Sequence, residues 1–240
     1  MVSGEVQVKH VRCGRWSERG LRLRNEDYAF TDIDRGILII ADGMGGHAHG
    51  DAASREAVER CYARLIEAEA SVSVLTDAFR MAHDAVSSHG DNRGTTLTVA
   101  LMLEDRIEIG HVGDTRLYIN GQQITVDQGI GHVLEEFVGG DSPPLVQRHT
   151  LPRPNSGWLI LTTDGVHDTL PIPEHFPALL RLAELVDDDP EQLARTLSQM
   201  SVQLGSSDNC TVVAVHMTPV DQKHDAQPVS RSELTTVMPQ

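Results

Sequence analysis

Two apolar runs in this chain end in the same dipeptide. Residues 36–41 (GILIIA) run into Asp42-Gly43 and residues 158–163 (WLILTT) into Asp164-Gly165, and the sequence holds no other Asp-Gly pair. Such a run is short for a helix and has the length of a strand buried on both faces. A carboxylate just past a buried strand is expected at the rim of a sheet, fixed by the scaffold and open to solvent. Two of them on one rim make half of a metal site.

Periodicity supplies the surrounding elements. Residues 28–33, 95–103, 106–112, 116–119 and 210–217 read as further strands, with a hairpin at Glu104-Asp105. Residues 51–69 read as a helix with Ala53, Ala57, Cys61 and Leu65 on one face, and 72–88 as a second with Leu75, Phe79 and Ala82 inward. Residues 174–185 and 190–204 read as a second helix pair. Residues 43–50 are a glycine-dense loop, and 121–157 are loop-rich. From 219 to 240 the chain is polar and aperiodic, which predicts a disordered tail. Mixed strands with paired helices predict antiparallel sheets flanked by helix pairs, an α+β arrangement, and not a parallel βαβ sheet. At 240 residues one folded domain over 1–218 suffices.

The formal net charge is −15. That argues against nucleic acid or an anionic membrane as partner, yet admits phosphorylated substrates where bound cations supply positive charge. Cys13, Cys61 and Cys210 lack zinc-type spacing and read as free thiols in a reducing compartment. Residues 1–10 carry no apolar leader core, and no apolar stretch is of membrane-spanning length. A cytoplasmic protein is expected.

Other acids join the two at the strand ends. Asp208 precedes the strand 210–217, and Glu26-Asp27 precede 28–33. In an antiparallel sheet the end of one strand and the start of its neighbour share an edge. Glu26, Asp27, Asp42, Asp164 and Asp208 can therefore converge on one rim, with Asp114 in the turn 112–115 able to join them. One such Asp is ordinarily a turn residue; the joint pattern is more specific. Clustered carboxylates stay ionised only with a cation present, and oxygen-only ligands select Mg²⁺, Mn²⁺ or Ca²⁺ over zinc. Gly43, Gly45 and Gly46 allow the backbone to approach an ion closely.

The motifs that carry these acids resemble, in order, those of the metal-dependent protein phosphatases of type 2C in their bacterial form. R-L-R-N-E-D over 22–27 is similar to the family's R-x-x-N-E-D, and A-D-G-M-G-G-H over 41–47 to its A-D-G-M-G-G-H. G-T-T at 94–96, H-V-G-D-T-R at 111–116, T-D-G-V at 163–166 and D-N-C-T at 208–211 resemble its later motifs. The resemblance spans about 20–215. It implies a four-layer αββα sandwich and hydrolysis of protein phosphoserine and phosphothreonine by a water activated at a binuclear Mg²⁺ or Mn²⁺ centre. It implies that Asp42 bridges the two ions, with the Gly43 carbonyl on one. Asp164 and Asp208 complete the first ion, and Glu26 and Asp27 hold the second, directly or through water. Asp114 is implied at a third, weaker ion, and Arg22 on the substrate phosphate. The partners implied are phosphoproteins and an opposing Ser/Thr kinase, with the chain a monomer.

His47, His111 and His167 lie near these motifs, and none is assigned as general acid. Residues 125–140 depart from the family pattern, which implies a shortened flap over about 121–157. Two rival readings are a catalytically silent relative acting as a regulatory binding module and an unrelated acidic cation-binding protein. The presence of every core aspartate weighs against the first, and the absence of twelve-residue calcium loops against the second.

Overall fold

The computed structural model describes residues 11–44, 49–67, 72–131 and 133–219. Along the chain come β1 (Val11–Glu18), β2 (Asp27–Asp32), β3 (Ile37–Met44), α1 (Gly50–Ile66), α2 (Val72–Ser87), β4 (Gly94–Thr95), β5 (Leu97–Met102) and β6 (Arg106–Val112). Then follow β7 (Arg116–Ile119), β8 (Gln122–Gln123), β9 (Gly129–Ile130), β10 (Val133–Leu134), β11 (Gln147–Pro152), β12 (Gly157–Thr162), α3 (Asp164–His167), α4 (Ile172–Leu185), α5 (Pro190–Gln203) and β13 (Cys210–Met217).

One sheet has the order β1-β13-β12-β7-β8 and the other β11-β6-β5-β3-β2; β9 and β10 form a separate hairpin. Every pairing is antiparallel. The apolar runs are continuous because both faces of their strands are buried. Ile37, Ile39 and Ala41 pack with Val99 and Leu101 against α1 and α2. Trp158, Ile160, Val212 and Ala214 pack against α4 and α5. The alternate residues Leu38, Ile40, Leu159, Leu161, Val213 and Val215 meet between the sheets. Three apolar layers thus separate four layers of structure, the expected αββα sandwich.

Several boundaries differ from those expected. β3 runs on through Asp42, Gly43 and Met44 because β4 pairs with its end, Thr95 opposite Gly43 and Gly94 opposite Met44. Asp42 therefore lies inside a strand, not past one. The expected strand 95–103 is broken at Thr96 into β4 and β5. Ile33 belongs to a 3-10 turn capped by the Asp32 carboxylate, which accepts from Arg35 N–H at 3.2 Å. α4 starts at Ile172, ahead of 174, since Pro173 sits in the first turn where its missing N–H costs nothing. The loop-rich segment holds β8 to β11, and β1 adds an edge strand that the patterns do not foresee.

Cys61 and Cys210 are buried, Cys13 is half-buried, and all three are free thiols. No helix among the described residues is long and apolar enough to cross a membrane. The tail 220–240, the segment 1–10 and the loop residues Gly45, Gly46 and His47 lie outside the described residues.

Candidate metal centre

Strand parity decides which side chains meet. In β3, Leu38 and Ile40 face the space between the sheets, so Asp42, two residues on, faces it at the rim. Asp27 is directly opposite Asp42 in the β2–β3 ladder and shares its face. On the other sheet, Leu159 and Leu161 lead to Thr163, and Val215 and Val213 lead back to Thr211. The same rim thus receives two acids from one sheet and two hydroxyls from the other.

The hydrogen bonds follow. Both threonine hydroxyls donate to Asp27 Oδ2, Thr163 Oγ1 at 2.9 Å and Thr211 Oγ1 at 2.5 Å. Asp42 is fixed through its main chain. Its N–H donates to Thr96 Oγ1 (2.8 Å), and its carbonyl accepts from Thr96 N–H (2.9 Å) and Thr95 Oγ1 (2.8 Å). The break between β4 and β5 therefore anchors Asp42 by its main chain, while its carboxyl meets that of Asp164. The threonines of the G-T-T, T-D-G-V and D-N-C-T motifs have structural work of their own, which acid spacing alone did not signal.

Electrostatics sets these acids apart from ordinary surface carboxylates. Burial, with the Asp164 and Asp208 charges, pushes Asp27 up to about 7, against the pull of its two threonine donors. Burial and the charges of Asp27, Asp164, Asp114 and Asp208 push Asp42 well above the usual carboxylate range. Asp164 is raised by burial and then by Asp208 and Asp168. Asp114 is raised to about 7 by burial and by Asp164 and Asp127. Two buried oxygens, Asp27 Oδ1 and Asp164 Oδ1, have no hydrogen-bond partner. An unpaired buried carboxylate oxygen is costly, and a cation is the partner that satisfies several at once.

Glu26 stands where β2, β3 and α1 meet. Its carbonyl accepts from Gly43 N–H (3.0 Å) and Ser54 Oγ (2.6 Å). A Cβ on Gly43 would lie 2.2 Å from the Gly50 carbonyl oxygen, so only glycine lets α1 start this close to β3. The Glu26 side chain is raised by burial and by the Asp51 charge. Asn209, buried beside Asp208, accepts from Glu26 N–H (2.8 Å) and donates to the carbonyls of Arg19 (2.8 Å) and Arg24 (2.9 Å). It clamps the loop that carries Arg22. Arg22 Nη2 reaches Asp208 Oδ2 at 2.5 Å with half its side chain exposed. Among the described residues no three His, Cys, Asp or Glu side chains close around one point as a finished cage; Asp208 is turned onto Arg22. The oxygen-only donor set and the two orphaned oxygens nonetheless fit hard divalent cations.

Asp114 and Asp164 open together onto a cleft of about 250 Å³, lined also by Arg116, Asp127, His167 and Asp168. Arg116 and Asp127 form a two-pronged ion pair on its wall (3.0 and 2.6 Å). His111 and His167 are structural. His111 Nδ1 lies 2.8 Å from Thr98 Oγ1 and His167 Nδ1 2.9 Å from Thr162 Oγ1. Burial drives them down to about 4 and about 3, so both are neutral near pH 7.

The sequence profile of the family described as Protein phosphatase 2C matches residues 17–199. The chain belongs to that family. Its relatives include the serine/threonine protein phosphatase PstP of Mycobacterium tuberculosis, 30% identical over 88% of this chain. The chain spans 46% of that relative's length, less than half. The serine/threonine phosphatase stp of Listeria innocua is 26% identical over 88% of this chain and 97% of its own. Among solved structures, the catalytic domain of PstP in complex with two manganese ions superposes with a TM-score of 0.74 at 26% identity, covering 87% of this chain and 98% of that one. The phosphatase 2C sandwich and the acids at its rim thus come together in one chain.

Proposed function

We propose that this chain hydrolyses phosphoserine and phosphothreonine in proteins, using two Mg²⁺ or Mn²⁺ ions, and opposes a Ser/Thr kinase. The observation that carries the reading is the pair of orphaned buried oxygens, Asp27 Oδ1 and Asp164 Oδ1, within a cluster of acids drawn from both sheets. The manganese ions in the related PstP catalytic domain support it.

In this reading Asp42, the Gly43 carbonyl, Asp164 and Asp208 hold one side of the centre, and Glu26 and Asp27 the other. Asp27 offers Oδ1, since Oδ2 is engaged by threonine. Asp114 takes a third ion with Asp164. When bound, the ions lower the pKa of a water and offset charge on the phosphate. The chain's own residues do the rest. Thr95 and Thr96 hold Asp42 in register, and Asn209 holds Glu26 and the Arg22 loop. Arg22 offers the planar fork that suits two phosphate oxygens, poised by its contact with Asp208.

The test is hydrolysis of a phosphothreonine peptide and of p-nitrophenyl phosphate with Mn²⁺, Mg²⁺ or chelator, repeated on Asp42→Ala. Metal-dependent turnover that the variant loses is expected. Wild-type protein inert toward both substrates with either metal would refute the reading.

A further inference from the structure

The leaving group of the proposed reaction is the oxygen of a serine or threonine. Such an alkoxide is too basic to depart without a proton, whereas nitrophenolate needs none. Acids that hold a cation have given up their protons, so the proton comes from another group. His111 and His167 are buried on threonine hydroxyls and kept neutral.

His49 is placed differently. Its side chain is 50% exposed, and it directly precedes Gly50. A Cβ on Gly50 would lie 2.8 Å from Glu26 Cδ and 3.0 Å from the Gly43 carbonyl oxygen, so the backbone next to His49 is packed against the rim. His49 Nε2 faces Asp91 Oδ2 at 3.8 Å, an ion-pair distance. Arg93 grips Asp91 with both prongs, Nε to Oδ1 at 2.8 Å and Nη2 to Oδ2 at 2.6 Å. That fork holds the Asp91 carboxyl below the usual carboxylate range, so it stays charged. The turn that carries it leads into β4, which pairs with Gly43 and Met44. His49 and its carboxylate are thus fixed to the two elements that border Asp42.

We propose that His49 is the general acid of this reaction, with Asp91 as its positioning residue and Arg93 behind it. The inference rests on the phosphatase reading. With Nε2 on the Asp91 side at 3.8 Å, the proton to be delivered is assigned to Nδ1. The water oxygen bonds to phosphorus as the ester P–O bond breaks. The electron pair of that bond stays on the serine or threonine oxygen, which takes the Nδ1 proton. The attacking water releases one proton to solvent and the imidazole regains one, leaving alcohol and phosphate. The charged group facing His49 is Asp91, held by Arg93; Glu56 and Asp51 on α1 act on Arg93, and His89 pairs with Glu56 at 2.7 Å.

The experiment compares kcat on a phosphothreonine peptide with kcat on p-nitrophenyl phosphate, in the full chain with Mn²⁺. His49→Gln is expected to lower the peptide-to-nitrophenyl ratio on the order of 10²-fold. Asp91→Asn should lower the ratio less, through kcat on the peptide with KM unchanged. An unchanged ratio in His49→Gln overturns the assignment. So does a ratio that falls in His47→Gln and not in His49→Gln. Wild-type protein inert on both substrates overturns the phosphatase reading itself, a distinct outcome.

Discussion

Asp27 and Asp42 stand directly across the β2–β3 ladder from one another, both facing the space between the sheets. Like charges directly opposite in a sheet repel, and here burial compounds the repulsion. Such a pair is a latent cost of the fold that only a proton or a cation relieves.

The sign of the pH dependence follows. Asp27 and Asp114 are raised to about 7, above the value of about 4 for an unfolded aspartate. The folded state binds these protons more tightly, so the stability these two groups contribute is fully present below about pH 4 and is lost as pH rises through about 7. In chelator, the melting temperature at pH 7.5 is expected below that at pH 5. One pKa unit is about 1.4 kcal/mol and moves Tm by about 3–5 °C in a chain this size. A Tm that rises across the interval contradicts the account.

Asp42→Asn should act in opposite directions with and without metal. In chelator it removes one repelling charge and raises Tm. With millimolar Mn²⁺ it should remove a ligand of the proposed centre and abolish the metal-induced rise. Thermal scans of both proteins under both conditions give the four values; a variant less stable than wild type in chelator would count against repulsion.

Thr211→Val is expected to cost about 1.5–3 kcal/mol, the range for a hydrogen bond to a charged group, because Thr211 Oγ1 donates to Asp27 and also lies 2.7 Å from Ser17 Oγ. Thr211→Ser keeps the hydroxyl and should recover most of it. Urea denaturation at pH 7.5 with Mn²⁺ measures both, and equal losses in the two variants would assign the effect to packing.

Asn209→Ala deletes three bonds, to Glu26, Arg19 and Arg24. It should destabilise the chain by about 2–3 kcal/mol and raise KM for phosphopeptide, since the Arg22 loop loses its clamp. A stability loss with KM unchanged would confine Asn209 to a structural role.

The central strands were legible because both their faces are apolar, and Asp42 and Asp164 because each follows such a run; Glu26, Asp27 and Asp208 stand at or just before strand starts and Asp114 in a turn. β1 was not, because its sequence VRCGRWSE alternates with arginines and glutamate on an edge strand whose outer positions are exposed. β11 is hidden the same way, with every second residue exposed. The extension of β3 past Ala41 depends on β4, a pairing about 50 residues away in sequence. The roles of Thr96, Thr163, Thr211 and Asn209 depend on register between strands and across the sandwich, which no local pattern carries. His111 and His167, assigned no role from the sequence, are buried against threonine hydroxyls.

The hydroxyl bolts from Thr163 and Thr211 to Asp27 cross from one sheet to the other. Neither sheet alone assembles the rim. A nascent or half-folded chain with only the β2–β3 sheet formed has Asp27 and Asp42 but lacks Asp164 and Asp208. During refolding, the centre should appear only in the last cooperative step, when the sheets dock. Its assembly is then a read-out of complete folding.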